Sequence, residues 1–260
     1  MSAAGLIAGS FASLIVSASK AKTWEDLSDD TSFRRHNLAL ATTGVASSLW
    51  VRYAELVTRI PGTNPLVSHQ SYSGVMQARL IGCYAPAALL GAAVWARCLP
   101  EDVRCNPLSW PKRIVDECSK SLFFIGPKNI NDPVQVKYSL LTSSFLFFTA
   151  IQTVCNMPVA VIPSWTSRRL SRAFPIYTLL GAVTSLDLKE AAENGQLLID
   201  DKFRYLSNGM KTFGGLYLGA KCGIFVDPSF PEHFKVVTQV PGLAVAAIMM
   251  VGLTLRSDHN

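Results

Sequence analysis

YSLLTSSFLFFTAIQTVCNMPVAVIPSWTS, residues 138–167, runs for thirty positions without Asp, Glu, Lys, Arg or His. As one straight helix it would extend about 45 Å at 1.5 Å per residue. A hydrocarbon core of about 30 Å takes only about 20 residues, so the stretch is too long for a single crossing. Pro158 and Pro163 dispose of the excess. Each removes a backbone donor and clashes with the preceding turn. The pattern predicts a straight helix from near Lys137 to about Asn156, then a kinked continuation that reaches an interface at Trp165.

Working outward, five further apolar runs stand at Met1–Ser19, His36–Val51, Leu80–Ala96, Ala173–Leu186 and Val236–Leu255. The second extends through Arg52, whose long side chain can snorkel. The fifth run in chain order, Ala173–Leu186, is short for a crossing. None has a polar face to cover it, which argues against a water-exposed domain built around residues 138–167. Of the 260 residues, 49% are hydrophobic and 16% charged, with a mean hydropathy of +0.27. Water-exposed domains usually carry about 25% charged residues. The expected fold is an all-α, polytopic integral membrane bundle of four to six transmembrane helices, six being favoured. It forms a single domain over 1–260, with 97–137 and 187–235 as extramembrane segments holding short helices.

Charge distribution favours six crossings. Lys and Arg number 4, 3, 7, 3, 6 and 1 in the successive segments 20–35, 52–79, 97–137, 168–172, 187–235 and the tail, giving 17 on one side against 7 on the other. Positively charged loops collect on one side of a membrane, and merging the segments around Ala173–Leu186 would weaken the bias. The net charge of +6 and pI near 9.1 suit anionic headgroups. No zinc-finger, RNA-recognition or helix-turn-helix pattern accompanies them, so nucleic acid is not an expected partner.

Few residue types that carry chemistry sit where chemistry would need them. His36 opens a helix, while His69, His233 and His259 lie in loops or the tail, which disfavours bis-histidine haem. No GxSxG, HExxH, phosphate loop or GxGxxG occurs. Catalytic residues, metals and cofactors are not expected. Six cysteines, at 83, 98, 105, 118, 155 and 222, include no CxxC pair. Cys98, Cys105 and Cys118 share one segment and could form a disulfide in an oxidising compartment, though free thiols are the expectation. Gln152 and Asn156 are polar and a turn apart, which suits an interhelical hydrogen bond or, less simply, a solute site.

Two patterns suggest binding without catalysis. Gly5, Gly9, Ser13 and Ser17 recur every four residues, and so do Gly215, Gly219 and Gly223 in KTFGGLYLGAKCGIF, residues 211–225. Small residues at this spacing let membrane helices approach closely. Trp165, Arg168, Arg169 and Arg172 gather basic and aromatic side chains at a membrane boundary. They can anchor a helix or hold a phospholipid headgroup of the cardiolipin type. SLDLKEAAENG, residues 185–195, reads as a short exposed helix with Ser185 as N-cap and Asn194-Gly195 as its stop.

VKYSLLTSSFLFFTAIQ (136–152), FRYLSNGMKTFGGLYLGAKCGIF (203–225) and SLWVRYAELVTRIPGT (48–63) together resemble a plant and bacterial membrane family, the domain of unknown function 599. The resemblance covers about residues 40–255. It rests on Lys137 and Tyr138 entering a Leu/Phe-rich helix that ends near Gln152, and on Tyr205, Gly209, Phe213, Gly219 and Lys221. DPSFPEHFKVVTQVPG stands where the family has a Trp-x-Phe-Gly-Pro-like segment. What it implies is an architecture, since the family carries no established activity.

The function expected from these features is that of a non-enzymatic accessory or structural subunit in a large membrane complex. A respiratory or ATP synthase assembly of the mitochondrial inner membrane fits best, with other membrane subunits and phospholipids as partners. A small-solute channel or carrier built on the proline-broken helix is the alternative.

Overall fold

The computed structural model describes residues 3–59, 74–123, 125–154, 165–226, 244–245 and 247–248. Among these the chain is all-helical, with no strand. The helices are α1 (Ala3–Lys20), α2 (Trp24–Asp29), α3 (Thr31–Arg59), α4 (Gly74–Arg97), α5 (Glu101–Arg104), α6 (Trp110–Phe123), α7 (Pro133–Val154), α8 (Trp165–Glu193) and α9 (Asp201–Val226). Among the described residues, no helix is long and apolar enough to cross a membrane.

Helix boundaries follow local chemistry. Asp30 caps α3 by accepting from the Phe33 N–H at 3.1 Å. Asp132 caps α7, accepting from Val134 N–H at 2.9 Å while its other oxygen takes the Gln135 amide at 2.9 Å. Pro133 then fills the first helical position, where a missing N–H costs nothing. α8 stops where Asn194-Gly195 predicts it. Gly195 adopts φ 68°, and the Gln196 N–H returns to Ala191 O at 2.8 Å, which closes the last turn. Pro86 lies inside α4.

The chain folds as two compact units. One comprises Met1–Thr23, Leu108–Phe145 and Gly181–Asn260. Its backbone is the antiparallel pair α1–α9, and its core includes Leu141, Phe145, Leu188, Leu206 and Phe213, all buried. Phe213 lies 6.0 Å from Phe145 and stacks on Tyr217 at 5.7 Å, centroid to centroid. The other unit comprises Trp24–Pro107 and Leu146–Leu180. There α3 and α4 pair antiparallel, with α2 against α3. Phe33, Leu40, Ala88 and Trp95 of these two helices are buried, and Arg97 closes the end of the pair over the Trp24 ring at 5.4 Å.

Two expectations change. Residues 168–172 are not a connection between spans, since α8 runs unbroken from Trp165 to Glu193. Arginine is a good helix former, and three of them do not end a helix. Residues 185–193 are not a short exposed helix: they are the last turns of α8, with Asp187, Leu188, Lys189 and Ala191 buried. Ser185 accordingly caps nothing, its hydroxyl donating back to Gly181 O at 2.9 Å. Cys98, Cys105 and Cys118 are free thiols. In segment 97–137, α5, a 3₁₀ turn at Pro107–Ser109 and α6 supply the short helices. Asn156, Pro158 and Pro163 lie outside the described residues, as does most of Val236–Leu255.

Candidate functional site

The seam between α1 and α9 is closely drawn. A Cβ added at Gly9 would stand 2.8 Å from Gly209 Cα and 2.9 Å from Tyr205 O. At Gly209 it would stand 2.7 Å from Gly5 O and 2.9 Å from Gly9 Cα. At Gly5 it would meet Phe213 N at 2.9 Å. Real side-chain carbons do not approach backbone this closely, so only glycine fits on both helices. Ser13 and Ser17 continue the same face of α1 and are buried. The seam ends in a polar clasp, where Lys20 Nζ lies 3.0 Å from Asp200 and 3.6 Å from Asp201.

Gly215, Gly219 and Gly223 fall elsewhere. Gly215 is half-buried and the other two exposed, and nothing lies within 4 Å of a Cβ at Gly219 or Gly223. The structure thus brings the first small-residue stripe into contact with α9, and leaves the end of the second facing open space.

Small and hydroxyl-bearing residues also fill the other seams. A Cβ at Gly91 on α4 would stand 2.8 Å from Asn37 O and 3.2 Å from Ala41 N. The Asn37 amide donates to Phe33 O at 2.9 Å, and buried His36 places Nδ1 3.1 Å from Ser32 O. Between α7 and α8, Thr142 and Ser185 share a hydrogen bond of 2.9 Å. Thr149 of α7 and Thr178 of α8 share another. Phe145 fits against Gly181, where a Cβ would come within 3.0 Å of the ring.

Lys189 and Glu193 of α8 form a buried ion pair. Lys189 Nζ lies 3.0 Å from Glu193, and the two side chains are 1% and 2% exposed. The other Glu193 oxygen meets Lys128 Nζ at 3.5 Å, and Lys128 also donates its backbone N–H to Glu193 at 3.1 Å. Burial pushes the Glu193 carboxyl up, but the hydrogen bonds from Lys189 and Lys128 and their charges outweigh it and hold the group below its ordinary 4.5. This clasp ties the loop before α7 to the end of α8. Its signal in the sequence, Lys189 and Glu193 four residues apart, looks like an ordinary solvated pair.

Lys137 has a different environment. It enters α7 half-buried, with Nζ 4.6 Å over the Tyr138 ring. Burial, and after it the charge of Lys211, push its amine down to about 8.

Trp165, Arg168, Arg169 and Arg172 occupy the first turns of α8, but their side chains lie outside the described residues, as does that of Gln152. Among the described residues, no group of three His, Cys, Asp or Glu side chains could hold a metal ion. The packing role of Gly209 and Gly91 and the tie of Glu193 to Lys128 escape a reading of the sequence by motif. They matter only through residues far away in the chain.

No protein-family model, no curated protein and no solved structure matches this chain. What it does is therefore read from its own residues and their geometry.

Proposed function

We propose that this chain is a multi-pass membrane protein and a non-catalytic accessory subunit of a larger membrane complex. One observation carries the proposal: beside an apolar core, large apolar side chains also stand exposed on the outer faces of several helices. Glycine, serine and threonine join the apolar core in the helix seams, and further large apolar side chains are left exposed. Ile15 of α1 is 67% exposed, Leu89 of α4 71% and Phe147 of α7 62%, with Val45, Leu90, Leu140 and Leu216 also exposed. In water, each such side chain forgoes roughly 1.5–3 kcal/mol of burial. In lipid no such loss arises, and helices associate instead through small residues and interhelical hydrogen bonds.

Length is no obstacle for α3 and α8, at 29 residues each. What they lack is a continuous apolar run, because Arg34, Arg35 and Arg52 interrupt the first and Asp187, Lys189 and Glu193 end the second. Asp187, Lys189 and Glu193 are shielded within the chain, whereas partner helices would shield the half-buried Arg34 and Arg35, which favours a subunit over a free-standing bundle. Net charge +6 suits a membrane rich in anionic lipid. The mitochondrial inner membrane, with a respiratory or ATP synthase assembly, is the setting we assign, with phospholipid bound at the periphery.

The test is a blue-native gel of the chain from its membrane in mild detergent, with mass spectrometry of the band. Co-migration with a defined set of membrane subunits is expected. A lone monomer, or release by carbonate washing without detergent, overturns the proposal.

A further inference from the structure

We propose that Asn194, in the turn that ends α8, is a site of spontaneous deamidation, and that the fold spares its counterpart Asn208. The dipeptide Asn-Gly occurs twice in the chain, at Asn194-Gly195 and Asn208-Gly209. Both asparagines are exposed, so exposure does not tell them apart. The glycines do. Gly195 is exposed at φ 68°, and nothing lies within 4 Å of a Cβ built on it. Its N–H is held by the Ala192 carbonyl at 3.2 Å, at the open end of the helix. Gly209 is buried within α9. A Cβ at Gly9 would stand 3.3 Å from the Gly209 nitrogen, and one at Gly209 would stand 2.7 Å from Gly5 O, so α1 lies against this peptide. The Asn208 carbonyl of the same peptide accepts the Thr212 hydroxyl at 2.9 Å.

Deamidation begins when the glycine nitrogen attacks the asparagine Cγ and closes a succinimide ring. The Cγ–Nδ2 bond breaks, and Nδ2 leaves as ammonia with the proton that the glycine nitrogen gives up. Water then opens either ring carbonyl, which leaves aspartate or isoaspartate at that position. Water is the only co-reactant. Glycine carries no side chain to crowd the attacking nitrogen and turns freely, but ring closure requires its peptide to leave the helical conformation. At Asn194 this breaks a bond at a helix end, where chains open most easily. At Asn208 it breaks the interior of α9 and parts the glycine seam. The product also changes the turn. A carboxylate at position 194 stands at the C-terminal end of α8, where the helix dipole disfavours negative charge, and next to Glu193. Isoaspartate adds a backbone carbon to the turn that the Gln196 and Leu197 N–H groups close on Ala191 O, at 2.8 and 3.2 Å. The modification is thus a one-way change that loosens the end of α8, whatever the setting in which the chain works.

The experiment ages the full chain in a neutral detergent at mildly alkaline pH. Peptide mass spectrometry follows both asparagines, with isoaspartate resolved by chromatography. Conversion at Asn194 is expected to outpace that at Asn208 by more than about ten-fold, which corresponds to a difference in opening free energy above about 1.4 kcal/mol. The same chain unfolded in SDS and urea is the reference, and there the two rates should converge. Equal rates in the folded protein overturn the proposal. So does a preference for Asn194 that persists undiminished in the unfolded chain, because it would then belong to the flanking residues and not to the fold. Hydrogen exchange reads the consequence. The aged protein should exchange faster at Gln196 and Leu197 than equally aged Asn194→Gln, whose longer side chain closes a ring far more slowly. Equal exchange in the two overturns the loosening of α8.

Discussion

The α1–α9 seam and the α3–α4 seam both bring backbones together, but they do so by different means. In the first, glycine faces glycine: Gly5 and Gly9 on α1 meet Gly209 on α9, and an added Cβ at any of the three would strike backbone. In the second, Gly91 meets Asn37 and Ala41, which carry side chains of their own. The first seam joins helices far apart in the chain, whereas the second joins consecutive ones. A contact between consecutive helices is assisted by the shorter chain between them. A contact across most of the chain has less such help and depends more on the fit itself.

The sharpest way to break this comparison is to add one methyl group to each seam. Gly209→Ala forces two helices apart at backbone positions that cannot rotate away, and is expected to cost about 3 kcal/mol. Gly91→Ala presses mainly on one carbonyl, and about 1.5 kcal/mol is expected. Unfolding in mixed micelles with increasing SDS measures both. If Gly91→Ala proves as costly as Gly209→Ala, reciprocal glycines are not what distinguishes the α1–α9 seam.

The two seams should also respond differently to acid. In the unit of the first, burial pushes the Glu193 and Asp200 carboxyls up, but their lysine partners prevail. Lys189 and Lys128 hold Glu193 below its ordinary 4.5, and Lys20 and Lys202 hold Asp200 below 3.8. A carboxylate held low contributes stability above its unfolded value and loses it as pH falls through its folded one. The unit holding α1 and α9 should therefore weaken as pH drops below about 4.5 and continue to weaken further down. Lys20 is displaced upward by the hydrogen bond and charge of Asp200, so its contribution is complete below 10.5 and fades only in strong base. The α3–α4 seam ends instead in Arg97 over the Trp24 ring, a contact without a carboxylate. Glu193→Gln is expected to cost about 2 kcal/mol at neutral pH and to flatten the acid limb. Hydrogen exchange resolved by segment would show this, and an equal acid response in α3 and α4 would contradict it.

A weaker contact tests the hydroxyl pairs. Ser185→Ala removes the partner of Thr142, whose hydroxyl is then free to donate to Tyr138 O, 2.9 Å away. Because one bond of Thr142 remains, a loss of about 1 kcal/mol is expected. A loss above that of Glu193→Gln would mean that the hydroxyl seam, and not the charged clasp, holds α8 in place.

Legibility in the sequence differs between the same regions. The every-fourth spacing of Gly5, Gly9, Ser13 and Ser17 marks a packing face on α1 without showing which helix packs there. Gly209 stands alone within SNGMK, so the spacing that marks α1 is missing at the point of contact on its partner. The end of α8 at Asn194-Gly195 is readable because a left-handed glycine is a local requirement. Residues 185–193 mislead because burial is not local. Asp187, Lys189 and Glu193 have the composition of a solvated face, and only the distant Lys128 and the packing around Leu188 change that. Trp165 and the three arginines resemble a boundary for the opposite reason: their charges stand out, whereas their helix propensity does not.

Gly219 and Gly223 set the smallest effect against the largest. They share the spacing of Gly5 and Gly9, yet nothing lies within 4 Å of a Cβ on either. A methyl group there meets open space within the chain, so each should behave as an exposed helical glycine. Replacing it with Ala should raise stability by about 0.5 kcal/mol, through the backbone freedom that glycine loses on folding. If the second stripe serves a partner helix, the same change should do harm only in the assembly. The monomer would then unfold slightly later, while the co-migrating band weakens on a native gel. Gly9→Ala should weaken both together, because its contact lies inside the chain. A Gly219→Ala, Gly223→Ala protein that keeps its assembly intact would show that the likeness between the stripes ends at their spacing.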